Sequence, residues 1–350
     1  MTESTLAASE NASAAEQASA VVRRGLELLA LEEASAWRQA LACFDRALEL
    51  RRGPALQDGP GQRWGLTAAW MNRADVLHRL GQHEASLAAY DEAVTHLQLL
   101  PLDVEPAFRW RLGLAWINRA LPLQALARLS EAAASLQRAI IVLDHPQLVS
   151  LRDRGALGSA WTNLAGIRLV QEDPLAALPA VARALAALEP FEHQDATATA
   201  VALQARHAGC EAVARLLEAG CRDADQAETW IHEATDWVEV ALDRAHYWLG
   251  RDFGDLPLQL FRFGCRIYLA YQPQFLGEFL LDVLRPPARR RPAYFQAAEE
   301  ALHTAATVLR QRGPADLGLR RLDDLLDLLQ QLEAAARQLS AWRCGDSSRR

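Results

Sequence analysis

Histidine, cysteine, arginine and carboxylate side chains are the groups here that could do chemistry, and their spacing decides how much. His207 and Cys210 lie three residues apart, on one side of any helix that carries them, with Cys221, His232 and His246 further along. A metal centre needs converging ligands at tight spacing, and this set lacks a matched second pair. No metal site is expected from it. Asp323, Asp324 and Asp327 form an acidic cluster towards the C-terminus, and such runs are ordinarily a solvated face. Gly-x-Ser-x-Gly, His-Glu-x2-His and glycine-rich phosphate loops do not occur in the sequence. His232, His246 and Tyr268 are the trio around which an all-helical enzyme site would have to be built. They form no catalytic constellation, so neither catalysis nor a cofactor is expected.

Arginine is the more suggestive residue. The chain contains no lysine: all 37 of its Lys-or-Arg positions are Arg. Schiff-base chemistry and the lysine of a phosphate-binding P-loop are thereby excluded. Arg63, Arg109 and Arg154 each stand seven residues before a tryptophan, which brings them to the same side of a helix as that ring. Two readings stay open. Each arginine pairs with an acid on an adjoining helix or stacks on a ring such as Trp64 or Trp110, or the row is an anion-binding ladder. Arg285 and Arg289–Arg291 lie among prolines and read as an exposed basic linker. A formal net charge of −7 argues against general nucleic-acid or anionic-membrane binding.

The elements that must position these groups are announced by a repeat. Ala-Trp-x-Asn-x-Ala occurs at 69–74, 115–120 and 160–165, with the tryptophans 46 and then 45 residues apart. A leucine stands four residues before each Trp (Leu66, Leu112, Leu157). A second register follows each: Ser86, Tyr90, Ala93; Ala132, Leu136, Ala139; Ala177, Val181, Ala184; an earlier copy is Ala40, Phe44, Ala47. Offsets of three, four and seven put these residues on helical stripes. Each unit is therefore two helices, A carrying Trp and Ala, and B carrying a small-large-small stripe where the backbones approach. A fixed period in this range signals stacked units of a solenoid.

The pattern resembles the tetratricopeptide repeat family, whose order is Trp, small, Ala, large aromatic, Ala. Trp70, Ala74, Leu77, Gly81, Tyr90 and Ala93 match it position by position, Ser86 replaces the usual Ala, and Ala127 and Glu172 stand where an inter-helix Gly is usual. The family unit is about 34 residues. This chain is similar to a long-helix variant with a period of about 45, in which helix A starts two or three turns early. The resemblance implies an all-α, right-handed α-solenoid of helix-turn-helix repeats, here with a less regular helical C-terminal part. It also implies a concave surface lined by helix A. By register that surface takes Ala68, Met71, Asp75 and His78; Leu114, Ile117, Leu121 and Gln124; and Ser159, Thr162, Gly166 and Leu169, with Asn72, Asn118 and Asn163 bordering it. None of the twelve is basic apart from His78, so the family's carboxylate-clamping type looks missing. An apolar centre with polar edges suits a partner's peptide or helix with hydrophobic anchors.

Segment by segment, residues 1–15 are expected to be disordered, 16–190 to form the regular repeats and 191–284 degenerate helical repeats. Residues 285–342 are expected to form the basic Pro/Arg loop with capping helices, and 343–350 a loose tail. Pro122 and Pro179 fall inside expected helices, where proline costs about 3 kcal/mol. The five cysteines are scattered and odd in number, as in a reducing cytosol. No leader or apolar run of about 20 residues suggests a membrane. The expectation is a cytoplasmic, non-enzymatic scaffold for a protein or peptide partner. The alternative is a regulator that senses a peptide or small ligand. The partner and the oligomeric state are not specified by the sequence.

Overall fold

Alanine, leucine and arginine are strong helix formers, and β-branched alternation is scarce. Accordingly the computed structural model is all-α. It describes residues 3–51, 59–221, 223–248, 251–286, 291–311 and 322–347, and among these it has 14 α-helices, two 3-10 turns and no strand. The chain divides into two compact units, residues 1–171 and 172–350. This division falls earlier than the expected change of pattern at 190.

The first unit holds α1 (Glu3–Leu29), α2 (Ala34–Leu50), α3 (Pro60–Arg79), α4 (His83–Gln98), α5 (Pro106–Ala125), α6 (Leu129–Leu143) and α7 (Leu151–Val170). Each helix packs on the next, and the first helices of successive pairs also touch, α3 with α5 and α5 with α7. The long-helix expectation holds: α3, α5 and α7 are each 20 residues, and each tryptophan follows ten residues after Pro60, Pro106 and Leu151. Pro60 and Pro106 open their helices where the missing N–H costs nothing. Leu151 is preceded by a capping box in which Ser150 and Asp153 satisfy each other's backbone N–H.

A left-handed residue follows the first helix of each repeat. Gly81 has φ 76°, and Glu32, Ala127 and Glu172 take φ 53°, 56° and 59° after α1, α5 and α7. The backbone of the glycine turn is thus kept where the glycine itself is absent.

The second unit holds α8 (Pro174–Leu188), a 3-10 turn (Glu189–Phe191), α9 (Ala196–Glu218), α10 (Ala224–Tyr247), α11 (Leu256–Tyr271), a second turn (Pro273–Phe275), α12 (Leu276–Leu284), α13 (Pro292–Gln311) and α14 (Leu322–Ser347). One apolar cluster runs from α9 through α14. Its centre is aromatic, with Phe261 facing Phe279 at 5.7 Å and Tyr294 at 5.2 Å between ring centres. Gly209 lets α10 approach closely, its Cα lying against the Trp237 ring.

Three expectations need correction. Residues 3–15 belong to α1, because their alanines and glutamates favour helix even without a periodic apolar face. The tail is helical as far as Ser347. Pro122 and Pro179 do lie inside helices as expected, in the last turn of α5 and the second turn of α8, and both helices continue through them. One stretch, Pro174–Phe191, has the length and composition to cross a membrane. Ala177, Val181, Ala184 and Leu188 of that stretch are buried in the protein. Arg289 and Arg290 of the basic loop lie outside the described residues.

Candidate binding surface

Alanines 69, 74, 115, 120, 160 and 165 of the repeated motif are all buried. Trp70 packs against Ala47, Leu48, Leu66 and Ala69 on one side and Ala74, Leu77, Ala89 and Tyr90 on the other. It therefore fills the space between consecutive pairs, as the small residues around it require. Trp116 is buried between the guanidinium groups of Arg119 and Arg138, 5.5 and 4.8 Å from its centre.

Ion pairs repeat with the same register. Arg73 Nε donates to Asp45 Oδ1 at 2.6 Å, and Arg119 Nε to Asp91 Oδ1 at 2.6 Å, each joining an A helix to the preceding B helix. At the next seam the corresponding residues are Gln137 and Leu164, which cannot make such a pair. Buried serines lock the pairs internally: Ser86 donates to the Ala74 carbonyl at 2.7 Å and Ser135 to that of Trp116 at 2.8 Å. Each such bond contributes about 1 kcal/mol.

The arginine row divides between its readings. Arg109 bonds Asp103 and Arg154 lies 3.9 Å from Asp144, while Arg63 adds a small contribution to the lowering of the His96 pKa that burial mainly causes. The cations over Trp64 and Trp110 are instead Arg111 and Arg152, at 3.5 and 3.2 Å from the ring centres. Phe108 also packs on Trp64, at 5.3 Å. These stacks occupy the early turns that make the A helices long, and they join α3 to α5 and α5 to α7.

On the face assigned to a partner, Met71, Leu114 and Gly166 are half-buried, Leu121 is 36% exposed and Gln124 is exposed. Asn72, Asn118 and Asn163 are half-buried at its border, alongside Asp75 and His78. Three residues need correction, the first being Leu169, which is only 4% exposed. Ile117 is 6% and Thr162 7% exposed, and the Thr162 hydroxyl donates to the Gly158 carbonyl at 2.9 Å. All three lie in the helix packing and present almost no surface.

Tyr90, whose aromatic ring the sequence marks as packing, also has a polar role. Its hydroxyl donates to Asp75 Oδ1 at 3.2 Å and lies within bonding reach of the Asn118 side chain. Burial first, then the Asp75 carboxylate, pushes its pKa far above the usual phenol value. Asp75 and Asn118 are thereby brought to one polar junction of α3, α4 and α5. His78 meets His83 through their Nδ1 atoms at 3.2 Å.

In the second unit, α9, α11 and α13 enclose a trough of about 700 Å³. Arg262 and Arg266 of α11, Glu211 and Arg215 of α9 and Glu300 of α13 line it around an apolar floor. Its two cysteines are poor nucleophiles: burial pushes the Cys265 thiol up to about 12 and Cys210 higher still. His207 is held towards its neutral form by burial. Among the described residues, no three His, Cys, Asp or Glu side chains converge as metal ligands. Of the trio weighed for catalysis, His232 and Tyr268 line one groove and His246 another.

Glu192 carries no sequence signal, yet it anchors this unit. Its buried carboxylate takes two parallel 2.8 Å bonds from Arg206, with Arg244 Nε at 3.6 Å. The Trp248 indole donates to the Glu192 carbonyl at 2.9 Å and to the Thr199 hydroxyl at 2.8 Å.

Residues 67–95 match the family model for the tetratricopeptide repeat. That segment runs from early α3 almost to the end of α4, and two further copies of its pattern follow in register. The chain therefore carries a tetratricopeptide repeat over α3 and α4. Among solved structures it is similar to BtubC (BKLC) from P. vanneervenii, at 15% identity over 89% of this chain and 92% of that one, with a TM-score of 0.47. The Pseudomonas aeruginosa pilF structure has 15% identity over 82% and 99%, with a TM-score of 0.47. A Rap protein complexed with Competence and Sporulation Factor has 16% identity over 94% and 76%, with a TM-score of 0.41. No curated protein matches the chain.

Proposed function

We propose that the protein is a non-enzymatic scaffold that holds a peptide or helix of a partner protein against the A-helix face of its first unit. The observation that carries this reading is the row of half-buried apolar residues, Met71 and Leu114 with the more exposed Leu121, edged by the Asp75–Tyr90–Asn118 junction. Such a face offers hydrophobic anchors in the middle and hydrogen-bonding groups for a backbone at the side. One anchored side chain contributes roughly 1.5–3 kcal/mol, so several give micromolar binding after association costs. Unpaired thiols at Cys43, Cys210, Cys221 and Cys265 favour a reducing, cytoplasmic setting. Leu114→Glu and Asn118→Ala test the reading, because both residues retain surface. Affinity capture with cross-linking from the native cell should lose its cross-linked partner in these variants while circular dichroism stays unchanged. Retention of every partner defeats the proposal.

The trough of the second unit favours a second reading, a regulator that senses a peptide or small acidic ligand. A ligand that binds only the folded chain raises its melting temperature. Thermal shift against peptide and metabolite libraries separates the readings, and flat curves count against the second.

A further inference from the structure

The second unit has another groove, of about 860 Å³, formed by α10, α11 and α12 on residues outside the trough described above. It leaves large apolar side chains in water: Phe275 is 48% and Val240 37% exposed. Leu242, Phe279 and Val283 lie beneath them as part of the buried core. Exposed apolar surface held in a concavity is the ordinary mark of an occupant.

The charge of the walls says what kind. Asp236, Glu239 and Asp243 lie on one face of α10, spaced three and four residues apart, so they span about 10 Å of helix. Glu278 and Asp282 face them from α12, one turn apart. Glu239 already accepts from the Tyr268 hydroxyl at 2.7 Å, and the cations of the lining are fewer than its acids. Arg244 is turned inward to the buried Glu192 carboxylate, and His232 is the other basic group of the lining. One guanidinium already sits at the rim, where Arg285 donates to Asp282 at 2.6 Å. The carboxylates are spread along two walls, and among the described residues no three of them converge on a point. That arrangement suits several cations carried on one chain better than a single metal ion.

We propose that this groove is a docking site for an arginine-rich peptide segment of a partner protein, with an apolar side chain set against Phe275 and Val240 and guanidinium groups reaching the two acidic walls. It is separate from the A-helix face of the first unit, so the protein holds two partners of opposite character: an apolar segment on one unit and a cationic one on the other. Two docking sites on one chain are what a scaffold requires.

The probe is a short fluorescent peptide alternating Arg and Leu, with its Glu and Leu counterpart as control, titrated against the full-length protein by anisotropy. The Arg peptide should bind and the Glu peptide should not. Asp236→Asn combined with Glu278→Gln should weaken binding roughly tenfold and flatten its salt dependence. Glu228→Gln combined with Glu233→Gln removes the same charge from exposed positions of α10 outside the groove, and should change binding by less than about twofold. Phe275→Ser should weaken binding several-fold at high salt as well, where screening leaves the apolar contact. Melting curves verify that each variant is folded. Failure of the Arg peptide to bind, equal loss in the two double variants, or no loss in Phe275→Ser each overturns the proposal. Loss of the first unit's partner in Leu114→Glu leaves these outcomes untouched, so the two sites are judged separately.

Discussion

Arg119 reaches back from α5 to Asp91 of α4 with a 2.6 Å bond, and Arg73 does the same to Asp45 one pair earlier. The bond spans the seam between repeats, where the tryptophan wedges also lie. Arg119 is mostly buried and Asp91 half exposed, so solvent screens part of the attraction. A double-mutant cycle on Arg119→Leu and Asp91→Ala should give a coupling of about 0.5–1 kcal/mol that declines as salt is added. Urea denaturation at two ionic strengths measures it.

The turn after α5 gives a prediction of opposite sign. Ala127 holds φ 56°, a conformation that costs a residue with a Cβ roughly 1 kcal/mol. Ala127→Gly should raise stability by about 0.5 kcal/mol, the gain being trimmed by the greater freedom of glycine in the unfolded chain. Gly81→Ala, at φ 76°, should lower it by about 1 kcal/mol. Paired melting curves check both.

Two helical glycines should respond differently to the same change. A Cβ on Gly113 would fall within the Leu143 side chain, whereas one on Gly155 meets nothing within 4 Å. Gly155→Ala should stabilise α7 by roughly 0.5–1 kcal/mol through helix propensity alone. Gly113→Ala should destabilise by roughly 1–3 kcal/mol, since α5 and α6 must part to admit the methyl group. Circular dichroism melts of the two variants decide the sign in each case.

Much of this fold was legible because its signals repeat. Three copies of Ala-Trp-x-Asn-x-Ala place the buried alanines and the wedge rings. The repeat also points to the A-helix face, but not to which side chains remain accessible. Ile117 and Thr162 occupy the right register and are covered by their neighbours. Residues that act through partners distant in the chain leave no periodic trace. Tyr90 reads as packing until its hydroxyl is seen beside Asp75, and Glu192 reads as part of a loop until Arg206, 14 residues on, is seen to fold back onto it. The Trp64–Arg111 and Trp110–Arg152 stacks were hidden for another reason: the two arginines occupy different places in their helices, so register alone cannot pair them with the rings.

Glu192 should be the most sensitive charged position in the second unit. Glu192→Gln leaves Arg206 buried without a counter-charge, and breaking such a pair costs about 3–5 kcal/mol. Adding Arg206→Met should recover part of that loss, because the uncompensated charge goes with it. Chemical denaturation of the single and double variants tests the order.

Acidification should weaken the first unit through its histidines. Burial, then the neighbouring His83, lowers the pKa of His78, and burial lowers that of His96, while Asp75 and Glu92 oppose the two shifts. The unfolded chain therefore takes up protons before the folded one. The stability contributed by neutral His78 is fully present above the unfolded value of about 6.5 and is lost as pH falls below it. The melting temperature should drop between about pH 7 and 5.5, and His78→Gln should shallow that slope.

The matching Arg73–Asp45 and Arg119–Asp91 seams make the first unit modular. Residues 60–105 comprise one full period, from the proline that opens α3 to the residue before the proline that opens α5. Excising that block in frame would leave Asp45 opposite Arg119, the same partner chemistry it had before. Such a shortening keeps the ion pair at the join, but it sets Arg111 where Gly65 now lies against the buried Arg51 side chain.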